Sequence, residues 1–151
     1  MEFRSKEQED TYRQVGTWMR EIFGEGLIVR DELPSYVVRA GSALVHVGIL
    51  PWSDHNDSTV RIIAFVVRGP DTDSELTNFL LRENDDFRFG AFALDGDDDV
   101  SFNYTMIGST VTKDALRLVV GAVGGTADRY DNKIVDRWGG QTALDHLSSG
   151  G

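Results

Sequence analysis

Val60-Arg61-Ile62-Ile63-Ala64-Phe65-Val66-Val67 is the stretch on which the fold turns. β-Branched and aromatic residues dominate it. Read with the two-residue period of a strand, it places apolar side chains on both faces, interrupted only by Arg61. A strand apolar on both faces belongs inside a sheet, covered by helices on one side and by something else, a second subunit or a partner, on the other.

Working outward, the polar turn Pro51-Trp52-Ser53-Asp54-His55-Asn56-Asp57 separates this strand (residues 59–67) from three earlier β-rich runs. These are residues 27–29, 36–40 and 43–50, with Gly41-Ser42 between the last two, as in an antiparallel meander. Before them, Tyr12, Val15, Met19, Ile22 and Phe23 recur at three- and four-residue spacing, so a first helix is expected over residues 7–23. Gly24 and Gly26 close it. Trp18 lies off the apolar stripe and reads as a core-edge aromatic.

Beyond the central strand, Leu76, Phe79 and Leu80 predict a second helix over residues 73–83, with Thr72 and Glu75 spaced as a capping box. Two strands, residues 87–94 and 100–107, then flank the acidic turn Asp95-Gly96-Asp97-Asp98-Asp99. Thr112 is placed to cap a long last helix, whose stripe runs Leu116, Val119, Val120, Val123, Ala127, Tyr130, Ile134 and Trp138 and ends at Gly139-Gly140. Gly121, Gly124 and Gly125 each weaken that helix by up to about 1 kcal/mol relative to alanine, so a kink or a close approach is expected near Gly124. The sum is an α+β domain: an antiparallel sheet with three helices in the order α-β-β-β-α-β-β-α, without alternating βαβ units. Residues 1–147 read as one domain and Ser148-Ser149-Gly150-Gly151 as a flexible tail.

Composition narrows the function. The 151 residues are 40% hydrophobic and 26% charged, enough for one core. Acidic residues outnumber basic ones 25 to 15, for a net charge of −10, which repels nucleic acid and anionic membranes. With no cysteine there is no disulfide, thiolate zinc site or cysteine nucleophile, and a cytoplasmic location is expected. The charged start MEFRSKEQED has no apolar signal core, and no apolar run approaches the ~20 residues of a membrane span.

Catalytic motifs do not emerge. The Asp95–Asp99 run lacks the glycine at position six and the glutamate at position twelve of an EF-hand loop, and reads as a hairpin turn rather than a metal site. His46 fits a strand, His146 lies near the tail, and none of the three histidines has zinc-motif spacing. His55, beside Asp54 and Asp57, is the one candidate for proton transfer or metal binding in an enzyme or small-ligand reading. Gly121-Ala122-Val123-Gly124-Gly125-Thr126 lacks the lysine of a phosphate loop, and there is no Gly-x-Ser-x-Gly elbow. No catalytic residue, metal or cofactor is therefore expected.

The aromatic residues of the late hairpin are more informative. Phe87, Phe89, Phe102 and Tyr104 alternate on its two strands, with Phe92 expected on the opposite face of its strand. These five are the candidate partner-binding residues, offering apolar surface to a helix or extended segment. Gly90, between Phe89 and Ala91, is expected to permit a bulge or a close backbone approach.

Leu80-Leu81-Arg82-Glu83-Asn84, then Phe87-Arg88-Phe89-Gly90-Ala91-Phe92, the acidic turn, Ser109-Thr110, Ala127-Asp128-Arg129-Tyr130-Asp131 and Trp138-Gly139-Gly140 together resemble the YbjN family. Val38-Arg39-Ala40-Gly41-Ser42-Ala43 and Pro51 fit the same pattern, so the likeness spans residues 27–140. It implies a fold shared with type III secretion chaperones, which are often dimeric and bind peptide segments of client proteins; YbjN-like proteins are also described as sensory transduction regulators. The family supplies no catalytic residues to carry over. The expected function is a non-enzymatic chaperone-like module, a homodimer that binds a peptide or protein client, with the acidic rim favouring basic segments. The alternative is a regulatory protein-interaction domain in signal transduction.

Overall fold

The computed structural model describes residues 1–148. Helix α1 (Lys6–Phe23) starts at Ser5, whose hydroxyl accepts the Gln8 N–H, and stops at Gly24 with φ +55°. Val15 and Met19 of its stripe are fully buried, while Tyr12, Ile22, Phe23 and Trp18 pack at the core margin. After a 3-10 turn come β1 (Leu27–Val29), β2 (Ser35–Ala40), β3 (Ala43–Trp52) and β4 (Asp57–Val67). Helix α2 (Ser74–Asn84) leads to β5 (Ala91–Leu94) and β6 (Val100–Ile107), and the long α3 (Lys113–Trp138) follows, capped by the Thr112 hydroxyl as expected.

All strand pairs are antiparallel and form one six-stranded sheet in the order β1-β2-β3-β4-β6-β5. The quoted central strand is β4, flanked by β3 and β6. The α+β class and the antiparallel sheet stand as read from the sequence. All four β-rich runs before α2 are strands, one more than the order α-β-β-β-α-β-β-α counts, and a fourth helix, α4 (Ala143–Ser148), follows α3. Ser148, assigned to the tail, closes this helix; residues 149–151 lie outside the described residues. Six residues, apolar only at Ala143, Leu144 and Leu147, are too short to show a helical stripe in sequence.

Register separates the two faces of the sheet. One cross-strand row runs Leu27, Val38, Val45, Ala64, Phe102, Phe92 and lies beneath α1 and α3. The next row runs Ile28, Val37, His46, Ile63, Asn103, Ala91 on the opposite face. Helix α3 remains one helix through its glycines. Gly124 makes the close approach: a Cβ there would stand 2.6 Å from Ala40 Cβ and 3.0 Å from a Val45 methyl. It is thus enclosed within the fold and unavailable to another subunit. Across the sheet, α4 covers one end of the second face, with Ala143, His146 and Leu147 over Leu44, His46, Phe65 and Arg68.

Three local expectations change. The N-cap of α2 is Asp73, whose carboxylate accepts the Leu76 N–H at 2.8 Å, not Thr72: the charged acceptor one residue later takes the role. Residues 87–90 are not strand. Phe92 is also not opposed to Phe102; the two are direct cross-strand partners on the helix-covered face, because the strand begins only at Ala91. The chain is turned before it by Gly90 at φ +108°, where a Cβ would meet the Phe102 ring at 2.4 Å. Gly90 therefore serves close approach, while the sheet's bulge lies elsewhere, between Phe65 and Val67.

A candidate client-binding groove

The end of α2 and the loop after it build one wall of a trough. Asn84 holds the outer edge of β5, its Oδ1 accepting the Phe92 N–H (2.6 Å) and its Nδ2 donating to the Phe92 carbonyl (3.2 Å). With both Phe92 backbone groups met by a side chain, the middle of this edge is closed to an added strand. From there the loop passes Asp86, Phe87, Arg88 and Phe89. Facing it across a hollow of about 420 Å³ is the outer side of α3 at Gly121, Ala122, Gly125, Thr126 and Arg129.

The five candidate aromatics divide by position. Phe102 is fully buried and Phe92 nearly so. Phe87 sits edge-on to both, with ring centres 5.0 and 5.5 Å away, and to Tyr130 at 5.7 Å. Tyr130 is fixed in turn by its hydroxyl, which donates to Glu83 at 2.7 Å. Phe92 and Phe102 are thus the packed backing of the wall, and Phe87 forms both backing and lining. Phe89 is the exposed member, 46% accessible, leaning edge-on against the half-buried Tyr104 at 6.1 Å.

The floor is unusual for a helix. A Cβ at Gly121 or at Gly125 would touch nothing within 4 Å, so neither glycine is needed for packing within the chain. Each still lowers helix stability by about 1 kcal/mol relative to alanine. Their effect is to leave a bare strip of backbone beside Phe87 and Phe89, with Arg88, Arg129 and Asp86 at the rim. The three nearby glycines of the sequence therefore have two roles: Gly124 meets the sheet, and Gly121 and Gly125 open the trough.

Two motifs far apart in sequence meet at the other side of α3. The Ser42 N–H and hydroxyl both donate to Asp128 Oδ1, at 2.8 and 2.7 Å, and the same hydroxyl reaches Asp131. These bonds hold the Asp128 carboxyl below the usual carboxylate range, the backbone N–H contributing most. Asp131 is almost wholly buried, and burial pushes its carboxyl up despite the Ser42 hydroxyl. The signal was present as two aspartates three apart on one helix, but only the fold supplies their Ser42 partner.

The remaining candidates do not assemble a reaction centre. His55 is exposed and packs on Trp52, ring centres 4.1 Å apart. Asp57 is turned to Ser109, whose hydroxyl donates at 2.6 Å and, with the Ser58 N–H, keeps its carboxyl low. Asp95, Asp97 and Asp99 bring oxygens within 4.8 Å of one another. However, Asp95 Oδ1 accepts the Asp97 and Asp99 N–H groups, and Asp99 accepts the Gly69 N–H and pairs with Arg68 at 3.3 Å. Leu94 pairs with Val100, so the acidic run is the expected hairpin turn.

The fold has solved relatives. A crystal structure of the ExsC–ExsE complex superposes with a TM-score of 0.63 at 13% identity, covering 84% of this chain and 95% of the other. The Yersinia pestis type III secretion chaperone SycH, solved with a stable fragment of YscM2, gives 0.55 at 16% identity, over 78% and 96%. No curated protein sequence matches the chain. The sequence model of one family, described as T3SS (YopN, CesT) and YbjN peptide-binding chaperone 1, matches residues 9–146, nearly the whole chain, and the protein belongs to that family of peptide-binding chaperones.

Proposed function

We propose that the protein is a non-enzymatic chaperone module that holds a peptide segment of a client in the trough between residues 86–89 and α3. The observation that carries this reading is the bare backbone at Gly121 and Gly125 facing the exposed Phe89. A client backbone can lie against the glycine strip, while an apolar client side chain packs on Phe89 and Tyr104. Phe87, Phe92 and Phe102 keep the wall rigid, so little ordering is required on binding. Both solved relatives were crystallised with a second polypeptide, which supports the same use of the fold. The exposure of His55, which packs on Trp52 at the surface, supports binding over catalysis.

The module acts as a homodimer in the cytoplasm in this reading. Among the described residues, no helix is long and apolar enough to cross a membrane. The surface best suited to a second copy is the apolar hollow of about 210 Å³ beside β5, lined by Leu80, Leu81, Phe92 and Leu94, where Leu81 is 69% exposed.

The test is selection of peptides from a random library against the wild-type chain, followed by affinity measurement with two variants. Phe89→Ala removes the exposed ring, and Gly125→Leu fills the trough at a site with free space. Each should weaken the selected peptides about tenfold or more, the loss of one interface anchor. Unchanged affinity in both would place the client elsewhere.

A further inference from the structure

The second face of the sheet differs in charge from the rest of the molecule. The chain carries 25 carboxylates, yet its strands contribute one to this face, Asp57, at the end of β4 and already bonded to Ser109. Arg61 stands mid-strand on the same face. It is exposed, and among the described residues its side chain forms no ion pair or hydrogen bond. Its cross-strand neighbours are Gly48 and Thr105, so nothing bulky stands beside it, and Ile63 follows two positions on. From Ile63 the cross-strand row passes through His46 and the buried Val37 to Ile28, 54% exposed. At the far end, α4 already lies over Leu44 and Phe65, which shows the kind of element that this surface accepts.

We propose that this face docks an amphipathic helix of another polypeptide, one with a carboxylate beside its apolar stripe, in line with α4 and with that carboxylate on Arg61. Charge complementarity decides the occupant. A second copy laid face to face would bring two Arg61 side chains to strands that offer no spare carboxylate, and a basic segment would meet the same repulsion. An acidic helix satisfies the unpaired guanidinium, and its apolar stripe covers Ile63 and Ile28 as α1 and α3 cover the opposite face. The inference rests on the reading of the chain as a binding module but uses a surface separate from the trough.

The test uses two labelled helical probe peptides with the same leucine stripe, one flanked by glutamates and one by lysines, followed by fluorescence anisotropy. The acidic probe should bind at least about tenfold tighter than the basic one, and Arg61→Glu should reverse that preference while Arg61→Lys retains it. Raised salt should weaken the acidic probe. Phe89→Ala should leave its affinity unchanged, which separates this face from the trough. The proposal is overturned if the wild type binds neither probe or both equally, or if Arg61→Glu has no effect. It is also overturned if sedimentation finds a dimer that Ile63→Asp dissolves, since the occupant is then a second copy. Arg61 is exposed, so its variants are expected to fold, and circular dichroism checks that they do.

Discussion

The two faces of one sheet, one residue apart in register, have opposite fates. Phe102, Ala64 and Val45 lie under α1 and α3 with no measurable exposure. Asn103, Ile63 and His46, their immediate neighbours in sequence, face outward and are only half-buried. Because a strand sends successive side chains to opposite sides, neighbours in sequence differ in cover here, although Val37 and Ser101 on the second face are buried as well. Apolar residues on the covered face form the core, while on the other face Ile63 is half-buried and Ile28 is exposed.

This contrast can be broken first by truncation. Phe102→Ala should cost about 3–5 kcal/mol, since it empties a fully buried site beneath the aromatic wall. Ile63→Ala, on the uncovered face, should cost under about 1.5 kcal/mol. Denaturant titration of the two variants checks the difference; equal losses would mean that the second face is as enclosed as the first.

The glycines of α3 sharpen it next. Gly124→Ala should destabilise, because about 1–3 kcal/mol of overpacking against Ala40 and Val45 outweighs up to about 1 kcal/mol of helix propensity. Gly121→Ala and Gly125→Ala have free space and should each stabilise by about 0.4–1 kcal/mol. Thermal melts of the three single variants distinguish the signs.

A smaller effect concerns pH. Burial raises the Asp131 carboxyl above its unfolded value, so the folded chain retains a proton that the unfolded chain has released. Its contribution therefore falls as pH rises from the unfolded value through the raised one. Asp128 is lowered, so its contribution is present above the unfolded value and lost as pH falls through the depressed one. Asp131→Asn removes the contribution of the raised carboxyl, so relative to this variant the wild type should gain stability as pH falls through the mildly acidic range. Melts of both proteins at a series of pH values read that difference.

Much of this arrangement was legible in the sequence. The helical stripes of α1 and α3, the strands β2 to β4 and the acidic hairpin follow from periodicity and turn composition, although the turn expected over residues 51–57 is shorter, because Pro51 and Trp52 pair with Ser58 and Asp57 as strand. Phe87 and Phe89 were legible as types but not in place, because an alternating aromatic pattern looks like a strand until Gly90 turns the chain away. The functions of Gly121 and Gly125 could not be separated from that of Gly124, since a helix period assigns faces without saying which face meets a neighbour. The pairing of Ser42 with Asp128 and Asp131 spans 86 and 89 residues of chain and exists only after folding.

The central claim is that a client peptide lies in the trough between residues 86–89 and α3. Hydrogen exchange followed by mass spectrometry, with and without the tightest library-selected peptide, tests it most directly. Added protection is expected at residues 86–90 and along α3 around Gly121 and Gly125, with little change in β1. Protection confined to β1 or to the strands of the uncovered face, with the 86–90 loop exchanging as in the free chain, would contradict it.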